Sequence, residues 1–307
     1  MKDNKEEPFA PDNRVFYLTF SLILIPGVLF CTFVAPVLIH WNVLFVLGFM
    51  YIFLSVLFWL CMTHFTDPGI MPKRPKPLKE PQGSQNIEQL EQRIDIIEDY
   101  DTAAPLLERE HKSKTKRNKP LDKKKDVPTK EVFVNGQKYV LKWCETCNFF
   151  RSPRTSHCSE CDHCVEVFDH HCPWVGNCVG RRNYRSFVLF LLTTTILCIY
   201  GLGASVVSLF VLAKQMEGNN SSEKFMDAVI SNPIAAVLIV YCFCIVWSVA
   251  GLGCFHSYLM VTGKSTWEEM TDRNNPYFTG TLSYCLLICC RPSSHLPRYT
   301  KNNAYCV

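Results

Sequence analysis

The chain has 307 residues, of which 48% are apolar, and 32 basic against 28 acidic side chains give a net charge of +4. So small a net charge argues neither for nor against a nucleic-acid partner. The apolar residues are concentrated in blocks, which argues against a single soluble domain with its core residues spread along the chain.

Four stretches lack Asp, Glu, Lys and Arg and exceed the roughly 20 residues that a helix needs to cross a bilayer. They are Val15–Val37, Val43–Phe65, Phe187–Ala213 and Ala235–Val261. The first is too long for a signal peptide and has no small-residue cleavage site. The sequence therefore predicts an α-helical integral membrane protein with four transmembrane helices. A transporter is disfavoured because no charged residue marks an ion path within the spans.

Basic residues near the span ends predict the orientation. Those on the predicted cytosolic side are Lys73, Arg74, Lys76, Lys79, Arg181, Arg182 and Arg185. The loops 38–42 and 214–234 on the other side hold only two lysines between them. By the positive-inside rule, both termini and the large loop 66–186 are predicted to be cytosolic. Asn219 and Asn220 begin N-x-S sequons in the predicted lumenal loop, where a chance match explains them as well as glycosylation does.

The expected division of the chain follows from these spans. It comprises a cytosolic N-terminus (1–14), two spans (15–65), a turn and a disordered charged linker (66–130), a cysteine-rich zinc domain (131–186), two further spans with a lumenal loop (187–261) and a cytosolic tail (262–307). Within the linker, apolar residues at helical spacing predict either a transient helix or an amphipathic docking helix: Ile87, Leu90, Ile94 and Ile97.

The cysteine-rich domain begins with a predicted β-hairpin, because Asn135-Gly136 separates two β-rich runs. The 35 residues from Cys144 to Cys178 then hold seven of the 17 cysteines and four of the nine histidines. Cytosolic thiols stay reduced, and two Cys-x2-Cys pairs have the spacing of zinc knuckles. We therefore expect a cytosolic two-zinc domain of short β-hairpins, in which two tetrahedral sites would use eight of these eleven side chains.

One thiol in this cluster has the neighbours of a nucleophile. Asp169, His170 and Cys172 supply a carboxylate, an imidazole and a thiol within four positions. On spacing alone, a nucleophilic Cys172 and a zinc-ligating Cys172 are equally good interpretations.

The run DHHCPWVGNCVGRRNYRSF, after CETC and HCSECDHC, resembles the cysteine-rich domain of the DHHC protein S-acyltransferases, also called palmitoyltransferases. The four-span layout agrees with this resemblance. Asp67-Pro68-Gly69 matches the DPG motif of the family, and Ser265-Thr266-Trp267-Glu268 matches its TTxE motif with Ser in place of the first Thr. The VFVNG hairpin and Asn275-Pro276-Tyr277, followed by three cysteines, are similar to the branch that acylates Ras-like proteins at Golgi or endoplasmic reticulum membranes.

The resemblance implies the site residues. One structural Zn²⁺ would be held by Cys144, Cys147, His157 and Cys164, and the other by Cys158, Cys161, His171 and Cys178. Cys172 would be the nucleophile, His170 its base and Asp169 the group that orients the base, with His163 left over. Palmitoyl-CoA would be the co-substrate. Its phosphates would bind three arginines, although these could equally serve topology alone: Arg181, Arg182 and Arg185.

Partners and rival functions complete the expectations. The expected partners are acyl-CoA, the lipid bilayer, proteins with membrane-proximal cysteines such as Ras-like GTPases, and an accessory subunit, with no nucleic acid. Cys289 and Cys290 in the tail are either S-acylated, making the enzyme a lipoprotein, or packed as small buried hydrophobes. The rivals are a catalytically inactive zinc-stabilised scaffold and a membrane-anchored RING-type ligase, whose ligand spacing fits poorly.

Overall fold

A computed structural model of the chain describes residues 10–74, 127–134, 137–217, 220–273 and 275. The predicted linker helix, the Asn135-Gly136 turn and the tail cysteines lie outside the described residues. The helices are α1 (Asn13–Leu29), a π-helical turn (Phe30–Val34), α2 (Ala35–Ile39), α3 (Val43–Phe65), α4 (Tyr184–Gln215), α5 (Ser221–Ser231), α6 (Pro233–Thr262) and α7 (Thr266–Met270).

Among the described residues, four helical segments are long and apolar enough to cross a membrane: Asn13–Ile39, α3, α4 and α6. Only a helix or a closed barrel satisfies its own backbone hydrogen bonds in lipid, so the apolar stretches of this chain form helices. Large apolar side chains such as Tyr51, Leu54 and Trp247 are exposed on the outside of these helices, as expected of lipid-facing positions. The prediction of an integral membrane protein with four spans is confirmed.

The first span is less regular than its uniform apolar sequence suggests. Pro36 cannot donate a backbone hydrogen bond, and its ring clashes with the preceding turn of a regular α-helix. The chain widens into the π-helical turn Phe30–Val34 just before this proline. Asn232, at the start of α6, donates its Nδ2 to the carbonyl of Phe33 at 2.7 Å. The irregular turn thus bonds to a polar side chain from a neighbouring helix.

The predicted lumenal loop contains α5, a helix that the sequence analysis did not predict. Ala228 is fully buried, and Phe225 and Val229 pack against the buried core of the bundle. Asn232 ends α5 and also begins α6. Asn232 is therefore the single residue between α5 and the fourth span, and packing against the bundle holds α5 in place.

Eight short strands in the described part of the chain build the cysteine-rich region, the first of them contributed by the segment after the second span: β1 (Ile70–Met71), β2 (Thr129–Val134), β3 (Gln137–Cys144), β4 (Phe149–Phe150), β5 (Ser156–Cys158), β6 (His163–Val165), β7 (His170–Cys172) and β8 (Asn177–Val179). They pair antiparallel in the orders β1-β6-β5, β2-β3-β4 and β7-β8. Val134 pairs with Gln137, as the predicted hairpin requires. Two small clusters of buried residues in this region consist largely of cysteines, so these strands have little aliphatic core.

Two buried asparagines dock this region on the end of α3. Asn177 donates its Nδ2 to the carbonyls of His64 at 3.0 Å and Thr66 at 3.1 Å. Asn183 donates its Nδ2 to the carbonyl of Thr63 at 3.2 Å. The last carbonyls of a helix have no partner within the helix. The two amides therefore cap α3 and fix its position relative to β8.

The loop between β7 and β8 inserts between the first two spans. His64 Nδ1 lies 2.7 Å from the carbonyl of Val175, and Thr19 Oγ1 donates to the carbonyl of Trp174 at 2.6 Å. Gly176 has φ +67°, and a Cβ there would lie 2.2 Å from the carbonyl oxygen of Asp12. Only glycine fits this close approach. The segment that follows Cys172 is therefore held against both α1 and α3.

Candidate active site and zinc sites

Eight Cys and His side chains gather into two groups of four. In the first group, Nδ1 of His157 lies between 3.5 and 3.8 Å from the sulfurs of Cys144, Cys147 and Cys164. In the second, Nδ1 of His171 lies between 3.4 and 3.8 Å from the sulfurs of Cys158, Cys161 and Cys178. These are the two sets that the family resemblance implies.

Both groups have the dimensions of a tetrahedral zinc site. With Zn–S near 2.3 Å and Zn–N near 2.0–2.1 Å, a tetrahedron separates neighbouring S and N donors by about 3.6 Å. Three thiolates and one imidazole are also a common donor set for structural zinc. Each group would supply all four ligands and leave no position open for a reactant, so the residues fit two structural ions.

The turns between paired cysteines have a shared geometry. Asn148 and Asp162 follow Cys147 and Cys161 and have φ values of 59° and 54°. Asn and Asp adopt this left-handed conformation more readily than most residues. Asn148 donates its backbone N–H to the carbonyl of Cys144 at 2.8 Å, which closes the first turn. Each Cys-x2-Cys turn therefore directs two sulfurs toward one point.

Strand alternation separates the roles of neighbouring residues. His171 and Cys178 face each other across β7 and β8, and both belong to the second group. Successive side chains on a strand point to opposite faces, so His170 and Cys172 lie on the face away from this group. His157 and Cys158 divide in the same way, because they are adjacent on β5 but belong to different groups.

A carboxylate, an imidazole and a thiol lie together at β7: Asp169 immediately precedes the strand, and His170 and Cys172 share the face opposite His171. His170 Nδ1 lies 2.6 Å from Oδ2 of Asp169, and Cys172 shares a face of β7 with His170. Asp169 is 2% exposed. Burial alone would lower the pKa of His170, but its interactions with the Asp169 and Cys172 side chains outweigh burial and raise the pKa to about 9. The order carboxylate, imidazole, thiol is that of an activated nucleophile.

The thiol lies where the cysteine-rich region meets the spans. Cys172 is 6% exposed. It belongs to an apolar cluster that includes Val56 and Leu60 of α3 and Phe187 and Phe190 of α4. A nucleophile in this position can reach a substrate whose apolar part stays among the helices.

Comparison with known proteins agrees with this geometry. A family model described as DHHC palmitoyltransferase matches residues 137–273. Protein S-acyltransferase 8 of Arabidopsis thaliana is 38% identical over 87% of this chain and 60% of its own length. Palmitoyltransferase ZDHHC14 of Homo sapiens is 37% identical over 93% of this chain and 54% of its own. Palmitoyltransferase ZDHHC18-B of Danio rerio is 37% identical over 92% of this chain and 68% of its own.

The chain belongs to the DHHC palmitoyltransferase family. It spans between about half and two thirds of the length of the curated relatives it matches.

The TTxE motif of this DHHC chain supports Asp169 directly. Thr266 donates its backbone N–H to Oδ1 and its hydroxyl to Oδ2 of Asp169, both at 2.8 Å. Ser265 begins α7 and forms a capping box with Glu268. Serine is as good an N-cap as threonine, so the departure from the motif keeps this function.

A buried ion pair joins the same motif to the zinc domain. Arg154 donates to both carboxylate oxygens of Glu268, at 2.6 and 2.7 Å, and both side chains are buried. Arg154 did not feature among the predicted site residues. A lone arginine in a cysteine-rich run carries no local signal of a partner 114 positions away.

We expect Glu268→Gln to lower the free energy of unfolding by about 3–5 kcal/mol, because a buried Arg154 would lose its counter-charge. Thermal unfolding of the zinc-loaded protein in detergent would measure this loss. Glu269→Gln is the matched control, since Glu269 pairs with Lys264 at a partly exposed site and should change stability by less than about 1 kcal/mol. Equal effects of the two substitutions would contradict the assignment.

The DPG motif accounts for one of the three arginines considered for CoA. Asp67 Oδ1 accepts the backbone N–H groups of Gly69 and Ile70, each at 2.8 Å, and Oδ2 accepts from Arg182. Arg181 lies 3.4 Å from Glu166. Arg185 is exposed, and no acidic side chain in the described part of the chain forms an ion pair with it. Of the three, Arg185 is therefore the most available to a phosphate.

Proposed function

We propose that the protein transfers a long-chain fatty acyl group such as palmitoyl from acyl-CoA through Cys172 to cysteine thiols of membrane-associated proteins. The observation that carries this proposal is the series Asp169, His170, Cys172, with the thiol buried against the spans. The family relatives named S-acyltransferase and palmitoyltransferase support it, and they give no support to an inactive scaffold.

The first half-reaction loads the enzyme. His170 accepts the proton of the Cys172 thiol, and the thiolate attacks the carbonyl carbon of acyl-CoA. A new C–S bond forms to Cys172 while the C–S bond to CoA breaks, and His170 returns the proton to the departing CoA sulfur. Asp169 orients the imidazole and stabilises its charged form while it holds the proton.

The second half-reaction empties the enzyme. The substrate thiol gives its proton to His170 and attacks the acyl carbonyl on Cys172. The bond to Cys172 breaks, and the proton passes from His170 to the Cys172 sulfur. Both steps exchange one thioester for another, so no oxidant or further co-reactant is needed.

The two zinc ions would take no part in these steps. Their proposed ligands are Cys144, Cys147, His157 and Cys164 for one ion, and Cys158, Cys161, His171 and Cys178 for the other. Structural zinc contributes about 10–16 kcal/mol of apparent binding free energy, enough to fold strands with so little aliphatic core. The ligands His171 and Cys178 also fix β7 and β8, on which the nucleophile lies.

Lipid energetics favour a nucleophile at the membrane. At about 0.8 kcal/mol per buried methylene, a 16-carbon chain gains about 12 kcal/mol by staying in an apolar environment. Extracting that chain to reach a soluble site would cost a similar amount. The apolar cluster around Cys172 lets the thioester be attacked while the chain remains among the spans.

Finer assignments belong to the same proposal. The basic span ends support cytosolic termini and a cytosolic DHHC domain. The resemblance to the Ras-acylating branch supports a Golgi or endoplasmic reticulum location, Ras-like substrates and an accessory subunit. Arg185, with Arg181 and Arg182 beside it, would bind the phosphates of CoA. Cys289 and Cys290 would be sites of acylation in the tail.

Acyl-exchange proteomics in cells with and without the protein would identify its substrates.

Labelled palmitoyl-CoA tests the central proposal. The purified, zinc-loaded full chain should take up label that hydroxylamine removes, and should pass it to an added peptide with a membrane-proximal cysteine. Absence of label on a protein that contains two zinc ions would refute the proposed activity. Label that never leaves the enzyme would refute the second half-reaction.

A further inference from the structure

A second histidine lies beside the proposed catalytic base. His256 is on α6, near the end of the fourth span, and is 1% exposed. Its ring nitrogen, a carboxylate oxygen of Asp169 and a ring nitrogen of His170 all lie within 4.8 Å of one another. Neither half-reaction uses His256, so its position calls for a separate explanation.

Aromatic contacts connect the two imidazoles. The ring centroid of Phe187 lies 5.3 Å from that of His170 and 5.0 Å from that of His256, and both contacts are edge-to-face. The two imidazole centroids are 5.8 Å apart. Nδ1 of His256 also lies 3.3 Å from the hydroxyl of Tyr184. His256 is thus itself held by α4 while it borders the His170 ring.

The hydrogen bond from His170 to Asp169 fixes one nitrogen but leaves the ring free to turn about that bond. Close packing against a ring face or edge removes this freedom. Phe187 and His256 supply that packing on the side of the spans. Thr266, which holds Asp169, comes just after the end of α6. His256 of α6 therefore contacts the His170 ring, and Thr266 at the start of α7 holds the Asp169 carboxylate that binds it.

An apolar residue would pack as well without the cost of a buried polar group. Burying an imidazole is unfavourable unless its nitrogens find partners. One nitrogen of His256 has the Tyr184 hydroxyl, and the group of three places the side chain beside the Asp169 and His170 polar atoms. The polar edge of the His256 ring therefore lies next to the proposed catalytic pair, Asp169 and His170.

We propose that His256 is a positioning residue, which fixes the ring of His170 so that its free nitrogen faces the Cys172 sulfur. It touches neither the substrate nor the reacting atoms and acts through His170. The inference rests on the proposed acyl transfer, and it deepens that proposal by assigning the fourth span a direct effect on proton exchange.

The test compares His256→Ala and His256→Asn in the zinc-loaded full chain. The alanine variant should lower kcat about 10- to 100-fold with KM for palmitoyl-CoA nearly unchanged, because small misplacements of a catalytic group have effects of this size. It should also slow alkylation of Cys172 by iodoacetamide, measured by mass spectrometry of the Cys172 peptide. Asparagine can replace the Nδ1 contact with Tyr184 and should restore part of the rate. Cys254→Ala, at an exposed position of the same helix, is the control and should match the wild type.

Two results would overturn the proposal. Wild-type kcat and alkylation rate in His256→Ala would show that the histidine does not position His170. Loss of zinc from both His256 variants, in proportion to lost activity, would reduce its role to packing. Failure of the proposed function is distinguishable, because the alkylation rate of Cys172 reports on His256 even if the wild-type chain takes up no acyl group.

Discussion

Cys172→Ser is expected to abolish hydroxylamine-sensitive labelling by palmitoyl-CoA while bound zinc stays near two ions per chain. The Cys172 sulfur belongs to neither group of four donors, so its loss should leave both proposed zinc sites intact. A serine hydroxyl is a far weaker nucleophile at neutral pH than a thiolate. Gel-based labelling and metal analysis on the same purified sample would measure both quantities.

Cys178→Ser provides the matched control for this experiment. Cys178 is on β8, where it pairs with His171 of β7, and it belongs to the second group of donors. It should lose zinc and activity together. Persistent labelling of the Cys172→Ser protein would move the chemistry to another cysteine, and zinc loss from it would make Cys172 a ligand.

His170→Ala and His171→Ala are expected to fail in different ways although the residues are adjacent. Loss of a general base should slow acylation by about 10²–10⁴-fold and leave zinc content and folding nearly unchanged. Loss of His171 should release one zinc ion and destabilise the domain, because metal binding supplies its folding free energy. Single-turnover acylation, zinc content and thermal unfolding would be measured for each variant.

Adding zinc sharpens this comparison. Excess Zn²⁺ should recover part of the stability of His171→Ala by mass action but should leave the rate defect of His170→Ala unchanged. The same zinc loss in both variants would contradict the division of roles that strand alternation gives to β7.

The sequence predicted the parts of the fold that have a local signal. Long uncharged stretches predicted the four spans, and Asn135-Gly136 between β-rich runs predicted the pairing of β2 with β3. The grouping of zinc donors came from the family resemblance, because spacing alone left three of the eleven side chains unassigned. Spacing also left the role of Cys172 undecided.

Contacts between distant parts of the chain were not predictable in this way. Arg154 meets Glu268, and Asn177 meets the end of α3 more than 100 positions earlier. Nothing in the residues around a single Arg or Asn indicates its partner, because these bonds depend on how the spans and strands are brought together. The π-helical turn and α5 were missed for the same reason, since both are bonded or packed to neighbouring helices.

Arg182 shows that the position of a charge in the sequence can fit more than one function. Its position before α4 fitted both phosphate binding and topology, and the structure pairs it with Asp67 of the DPG turn. Arg182 can still lie near a phosphate, but within the chain it is already paired with Asp67. Substitution of the exposed Arg185 is therefore the better test of a contribution to CoA affinity.

Side chains on β7 alternate between two faces with different roles, His171 on one and His170 and Cys172 on the other. This strand is therefore more sensitive to insertion than the loops of the domain. One residue inserted between His170 and His171, within β7, would reverse the phase of the strand after it, so that His171 would turn toward the spans and Cys172 toward the proposed zinc donors. Two added residues would restore the phase. Insertion of a single residue at this point should therefore abolish activity, even though every original side chain is still present.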